Sequence, residues 1–116
     1  MTTVGDILQF VESFAPGYMK ESWDNVGLLC GSKKQNVSKV LVALDPFEGV
    51  CEEAAAWDAD LIVTHHPMMF SPIKRLVETN YEAKLLCRLI RANINLIAAH
   101  TNLDQVPGGV NDVLAA

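Results

Sequence analysis

The first apolar positions of the chain recur at the spacing of a helix. Four of them fall on one face at 3.6 residues per turn: Ile7, Leu8, Val11 and Phe14. The pattern therefore predicts a helix over Val4–Phe14. Thr3 is placed to cap the start of this helix, with Asp6 three residues later as the partner of a capping box.

From residue 39 onward, short apolar runs alternate with amphipathic segments. The apolar runs predict three strands, which span Lys39–Leu44, Asp60–Thr64 and Ile94–Ala99. The segments between them predict helices over Glu48–Trp57 and Tyr81–Ala92. Because strands and helices that alternate in this way form βαβ units, we predict an α/β fold. Its sheet should be parallel or mostly parallel, with helices on its faces.

Two further segments carry weaker patterns. Val26–Leu29 is a short apolar run, and Val110–Ala115 predicts the start of another helix after the doublet Gly108-Gly109. A chain of 116 residues has the size of one domain. We therefore expect residues 1–116 to form a single α/β domain.

Composition and charge narrow the range of partners. Half of the residues are apolar and 20% are charged, as in ordinary globular proteins. Nine Lys and Arg against fourteen Asp and Glu give a formal net charge of −5. This charge repels phosphate backbones, so nucleic acid is not an expected partner, although a local pocket could still take a small phosphorylated ligand. The apolar runs are far shorter than the roughly 20 residues of a membrane span, so no membrane partner is expected.

The cysteines indicate a reducing compartment. Cys30, Cys51 and Cys87 are odd in number and widely spaced, which suits neither a disulfide framework nor a cysteine metal site. The N-terminus lacks the basic-then-apolar order of a signal peptide. We therefore expect three reduced thiols in a cytoplasmic protein.

All three histidines follow predicted strands. His65 and His66 come directly after the second strand, and His100 follows the third, with Asp104 four residues beyond it. The carboxyl ends of parallel strands meet at one edge of a sheet, where ligands usually bind. If these strands are neighbours, the four side chains meet at one site.

Imidazole and carboxylate groups in this arrangement suit metal binding. Neighbouring side chains in a regular strand point to opposite faces, so His65 and His66 either diverge toward two ions or converge because the strand ends. Asp104 carries two oxygens that could bridge two cations, and the donor types suit Zn, Fe, Mn or Ni. The alternative is a set of histidines that are hydrogen-bonded at strand ends without any metal.

Asp45 is a weaker candidate. It ends the first of the three predicted strands, so it could support the site or face a substrate. As a single carboxylate before a proline and a predicted helix, it could equally cap that helix.

Five motifs occur in an order that resembles a known family. They are Glu21–Leu29, Val40–Asp45, Ala59–Pro67, Ala98–Asp104 and Gly108–Asp112. Together they resemble the dinuclear metal-centre family of GTP cyclohydrolase 1 type 2 homologues, also called NIF-three-like proteins. The resemblance covers essentially the whole chain.

The resemblance implies an α/β fold, assembly into toroidal homohexamers, and two divalent metal ions such as Zn, Fe or Mn. It implies that His65 and His66 each bind one of the two ions and that Asp104 is a further metal ligand. His100 would lie at the same site, as a ligand or as a supporting group that shuttles a proton.

The chain departs from the family pattern in length. Members are about twice as long or longer, and a later histidine and glutamate, four residues apart on a helix, complete their site. This sequence reaches Ala116 without a fourth histidine. We therefore expect it to be the N-terminal part of a longer protein, or to receive the missing ligands from another chain. On either interpretation the metal site is incomplete in this chain.

Two classes of function follow from these observations. The first is a metal-dependent hydrolase of GTP cyclohydrolase type, in which the ions activate a water for attack on a nucleotide or another phosphorylated small molecule. The second is a metal-binding regulatory or protein-interaction module without turnover. A structural subunit whose metal ions only hold an assembly together is a third interpretation.

Overall fold

The computed structural model describes residues 1–14, 26–69 and 73–99. Within these ranges three helices and four strands follow one another along the chain. They are α1 (Val4–Phe14), β1 (Gly27–Cys30), β2 (Val40–Ala43), α2 (Glu48–Ala56), β3 (Leu61–Thr64), α3 (Tyr81–Arg91) and β4 (Asn95–Ala98). The predicted helix over Val110–Ala115 lies outside the described residues. No helix in the described ranges is long and apolar enough to cross a membrane.

The capping box predicted at the start of α1 is confirmed. The backbone N–H of Asp6 donates to Thr3 Oγ1 at 3.2 Å, and the backbone N–H of Thr3 donates to Asp6 Oδ2 at 2.9 Å. Both donors would otherwise be unsatisfied, as the first N–H groups of a helix have no partner within it. The sequence therefore defines the first residue of the helix.

The four strands form one sheet in the order β1-β4-β3-β2. β2 pairs with β3 and β3 with β4, both in parallel, as expected for two βαβ units. β1 is antiparallel to β4, so the sheet is mixed. The prediction of a mostly parallel sheet holds for β2, β3 and β4, whereas a strictly parallel sheet is wrong. β1 pairs with the edge of β4 that β3 leaves free. It is not part of a βαβ unit, so no crossover connection requires it to be parallel to β4.

Side chains alternate between the two faces of the sheet and build two clusters of buried residues. On one face, Val4 of α1 forms a buried cluster with Leu61 of β3 and Ile97 of β4. On the other face α2 and α3 cover the sheet, with Ile62 and Leu96 among the buried residues. The central strands β3 and β4 are apolar on both faces because both of their faces are largely buried, whereas β2 at the edge leaves Val42 75% exposed.

The register of the parallel strands aligns their carboxyl ends. Ala43 lies opposite Thr64, and Thr64 lies opposite Ala98. The residues that follow these three positions therefore emerge side by side at one edge of the sheet. This is the edge at which ligands bind in open α/β sheets.

Candidate metal centre

Two backbone hydrogen bonds continue the sheet beyond the strand ends. The N–H of His66 donates to the carbonyl of Leu44 at 2.9 Å, and the N–H of Ala99 donates to the carbonyl of Thr64 at 3.0 Å. The first bond ties the segment after β3 to the segment after β2, and the second ties β3 to the segment after β4. The two histidines therefore lie between Asp45 on one side and Ala99 on the other.

His65 is oriented by the main chain. Its Nδ1 lies 2.7 Å from the carbonyl oxygen of Ala99. A carbonyl oxygen only accepts hydrogen bonds, so Nδ1 must carry the proton and donate. In a neutral imidazole the lone pair then resides on Nε2.

His66 is oriented by a side chain. Its Nδ1 is hydrogen-bonded to Oδ1 of Asp45, and the two side chains are 41% and 33% exposed. An ionised carboxylate also only accepts, so Nδ1 of His66 is the donor. The same tautomer is therefore selected at both histidines by two different acceptors.

Asp45 does not cap the following helix. The N-cap of α2 is Phe47, which makes no side-chain capping bond. Of the two roles considered for Asp45, the geometry supports the one at the strand edge. Its position just after β2 was a sequence signal for this role, because the pairing of β2 with β3 brings it to His66. The carbonyl acceptor on Ala99 has no signal in the sequence, since every residue has one.

The two imidazole rings lie beside each other. Their centroids are 5.1 Å apart, and the ring planes make an angle of 40°. β3 ends at Thr64, whose hydroxyl donates to the carbonyl of His66 at 2.7 Å. Because the strand ends there, the opposite orientation of adjacent side chains in a strand does not apply. The two rings therefore lie side by side at the end of the strand, where each could hold one of two neighbouring ions.

A small apolar cavity adjoins His65. It has a volume of about 180 Å³, and its lining includes Val11, Val42 and Val63. Apolar walls next to a histidine limit the access of water on that side and strengthen electrostatic interactions at the ring.

The remaining predicted site residues are not described. His100 and Asp104 lie outside the described residues, so their placement stays a prediction. Within residues 1–14, 26–69 and 73–99, no group of three or more His, Cys, Asp or Glu side chains is arranged to hold a metal ion. The described part of the chain thus supplies two oriented histidines and one supporting carboxylate.

A sequence model of the family described as Duf34/NIF3 (NGG1p interacting factor 3) matches residues 2–116. A relative from Clostridium perfringens, named "GTP cyclohydrolase 1 type 2 homolog", is 42% identical over 111 residues. That alignment covers 96% of this chain and 42% of the relative.

This chain is also similar in fold to solved structures. Staphylococcus aureus hypothetical protein SA1388 superposes with a TM-score of 0.91 at 40% identity, over 98% of this chain and 32% of that protein. Reduced HcgD from Methanocaldococcus jannaschii superposes with a TM-score of 0.90 at 36% identity, over 97% of this chain and 45% of HcgD. This chain therefore spans less than half the length of each of these three relatives.

Proposed function

The chain belongs to the Duf34/NIF3 family, and from that premise we propose that it binds two divalent metal ions and acts as a metal-dependent hydrolase of GTP cyclohydrolase type. One observation carries the proposal: both histidines donate through Nδ1 to acceptor-only oxygens, so both would present Nε2 to a metal ion. The names of curated relatives as GTP cyclohydrolase 1 type 2 homologues support the reaction class.

The donor chemistry fits divalent ions such as Zn, Fe or Mn. Neutral imidazole is the commonest metal ligand in proteins, and carboxylate complements it for the harder of these ions. His65 and His66 would each hold one ion, and Asp104 would add a carboxylate ligand. When bound, such ions act as Lewis acids that supply a nucleophile for hydrolysis at neutral pH.

Asp45 would then act through His66. A carboxylate that accepts from the far nitrogen of a metal-binding histidine fixes the orientation of the ring and raises its basicity as a ligand. Asp45 is therefore a positioning residue in this proposal, and the carbonyl of Ala99 has the same role for His65. His100 would support the site and move a proton.

The experiment is a calorimetric titration of chelator-treated protein with Zn²⁺ and with Mn²⁺. Asp45→Asn should weaken metal binding by about 10- to 100-fold, the usual effect of losing such a partner. Asp58→Asn is the matched control, since Asp58 is exposed and its left-handed backbone (φ of 58°) tolerates asparagine. It should leave the affinity within about twofold of the original, because surface changes of this kind have small effects.

Two results of that titration would contradict the proposal. One is Asp45→Asn binding both metals as tightly as Asp58→Asn does. The other is unchanged binding when His65 and His66 are both replaced by alanine. Turnover is tested separately by incubating the protein with GTP and other phosphorylated small molecules, with and without chelator. The reaction class requires product formation that the chelator abolishes.

A second candidate function rests on the name of the family. The description "NGG1p interacting factor 3" refers to an interaction between proteins. In this alternative the chain is a metal-binding regulatory or protein-interaction module without turnover. Metal binding with no hydrolysis of any tested nucleotide would favour it.

The proposal also covers the oligomeric state and the cellular location of the protein. We expect self-association into a homohexamer, which would bring the ligands of several chains close together. The three cysteines are free thiols, which suits a cytoplasmic location.

A further inference from the structure

The basic residues are concentrated in one part of the chain. Five of the nine Lys and Arg residues lie between positions 74 and 91, where the only acidic residues are Glu78 and Glu82. The chain as a whole carries a net charge of −5. A local excess of positive charge favours the binding of anions even on a protein whose net charge is negative.

Three of these cations line one large cavity. The cavity has a volume of about 770 Å³ and lies between α3 and residues 76–79. Lys84, Cys87, Arg88 and Arg91 contribute to it from successive turns of the helix, at spacings of three and four residues. None of Asp45, His65 and His66 lines this cavity. It is therefore separate from the candidate metal centre.

The cations differ in their pairing. Nη1 of Arg88 lies 3.4 Å from Oε1 of Glu52 and 3.7 Å from Oε1 of Glu48, and both glutamates are on α2. Among the described residues, no carboxylate lies within ion-pair distance of Lys84 or Arg91. Arg88 thus lies next to two carboxylates of α2, whereas Lys84 and Arg91 form no ion pair with a described carboxylate, although Glu78 lines the same cavity.

Helix electrostatics explain only part of this arrangement. Arg88 and Arg91 lie in the last turn of α3, where cations complement the negative end of the helix dipole. Lys84 lies in the first turn of the same helix, where the dipole disfavours a cation. The dipole therefore does not account for the position of Lys84, which places a third cation in the same cavity as Arg88 and Arg91.

The opposite side of the cavity combines two apolar side chains with the polar Glu78 and Thr79. Leu76 and Val77 line it and are 59% and 48% exposed. Cavities of about 300–1,000 Å³ that combine apolar walls with a few polar groups are typical of small-molecule sites. We propose that this cavity binds an organic phosphate, with the phosphoryl group on Lys84 and Arg91 and the apolar body against Leu76 and Val77.

The test uses calorimetry with three probes: inorganic phosphate, 1-naphthyl phosphate and 1-naphthol. The protein is treated with chelator, so that bound metal ions cannot contribute. 1-Naphthyl phosphate should bind more tightly than either other probe, because only it engages both walls. The double variant Lys84→Gln/Arg91→Gln should lower its affinity by about tenfold or more, the effect of losing charge-assisted hydrogen bonds.

The matched control is Lys33→Gln/Lys34→Gln. It removes the same charge from exposed positions outside the cavity, and it should leave the affinity within about twofold. A further variant, Leu76→Ser, should weaken binding of 1-naphthyl phosphate and leave that of inorganic phosphate unchanged. Circular dichroism verifies that each variant is folded, which is expected because all of these side chains are exposed.

A second measurement locates the ligand. Cys87 lines the cavity, whereas Cys30 and Cys51 are buried. Saturating 1-naphthyl phosphate should therefore slow the alkylation of Cys87 by iodoacetamide.

The proposal is overturned if 1-naphthyl phosphate does not bind, or if the Lys84→Gln/Arg91→Gln variant binds it as tightly as Lys33→Gln/Lys34→Gln does. Asp45→Asn should leave this binding unchanged. The test of phosphate binding therefore does not depend on the result of the metal titration.

Discussion

Burial separates the three cysteines of the chain. Desolvation raises the pKa of the Cys51 thiol to about 11, and burial also raises the pKa of Cys30. The thiol of Cys51 lies 3.5 Å from the carbonyl of Pro46, to which it donates. Cys87 is only partly buried. Because the thiolate is the reactive form, Cys87 should be the most reactive of the three.

Alkylation measures this difference. With iodoacetamide at pH 8, native protein should be modified first at Cys87, with Cys51 at least about tenfold slower, given its raised pKa. Peptide mass spectrometry at successive times gives the three rates. In denaturant all three should react at similar rates. Modification of Cys51 as fast as that of Cys87 in the native state would contradict this account.

Asp60 stabilises the segment that leads into β2. Its Oδ2 accepts from the backbone N–H of Ser38 at 2.9 Å, from the Ser38 hydroxyl at 3.1 Å and from the backbone N–H of Lys39 at 3.1 Å. These bonds favour the ionised form, so the pKa of Asp60 lies below its ordinary value, chiefly through the Ser38 N–H. A depressed folded-state pKa stabilises the protein above the unfolded pKa of about 3.9. That stabilisation is lost as the pH falls through the folded value.

Thermal unfolding of Asp60→Asn tests this pH dependence. At pH 7 the variant should melt roughly 2–4 °C below the unmodified chain, a size that allows for solvent screening of an exposed group. The gap should narrow as the pH falls below about 3.9, where the carboxyl of the unfolded chain becomes protonated, and it should close once the folded carboxyl is protonated as well. Asp58→Asn serves as the control and should show no such convergence. A gap that is equal at pH 7 and pH 3 would show that charge is not the cause.

For single residues, the sequence allowed the residue types of the site to be predicted but not all of their contacts. His65 and His66 stand out because they follow a strand. The carboxylate of Asp45 had two equally good interpretations until the pairing of β2 with β3 placed it beside His66. The carbonyl of Ala99 could not be predicted, since a backbone acceptor leaves no trace in residue type.

Among the elements, α3 shows how pattern determines packing. Its buried residues are Ala83, Leu85, Leu86 and Leu89. Asn80 caps its start, where the side-chain oxygen accepts from the N–H of Ala83 at 3.0 Å. Lys84, Arg88 and Arg91, which line the large cavity, lie on a different side of the same helix. One helix therefore supports the core on one face and presents charge on the other.

Two adjacent positions of α3 test this division. Leu89 is fully buried, whereas Ile90 is 55% exposed. Leu89→Ala should lower the free energy of unfolding by about 2–5 kcal/mol through lost burial and the resulting cavity. Ile90→Ala should change it by about 0.5 kcal/mol or less. Urea titration gives both values, and equal losses at the two positions would contradict the assigned packing.

The three described helices and the three parallel strands were predicted within one residue of their observed ends, because continuous apolar runs alternate with amphipathic segments in this part of the chain. β1 was visible only as a short apolar run at Val26–Leu29. This run lies outside the alternation of strands and helices that begins at residue 39, and the antiparallel partner of β1 is β4, about 70 positions away. Long-range pairing of this kind is not encoded in any local pattern.

For the molecule as a whole, the sheet brings distant residues to one edge. Asp45, the histidine pair and Ala99 come from segments that follow β2, β3 and β4, and they meet because the three strands are parallel and in register. Family membership could be predicted from five ordered motifs, and the match over residues 2–116 confirms it. His100 and Asp104 remain predictions, since they lie outside the described residues.

The proposed function depends on metal binding through Nε2 of His65 and His66. The most direct test is ¹⁵N NMR of the histidine side chains at pH 8, first without metal and then during titration with Zn²⁺. Both rings should carry their proton on Nδ1 before metal is added, and both Nε2 signals should shift on addition of Zn²⁺. Protons on Nε2 of both rings, or Nε2 signals that Zn²⁺ leaves unchanged, would contradict the proposed function.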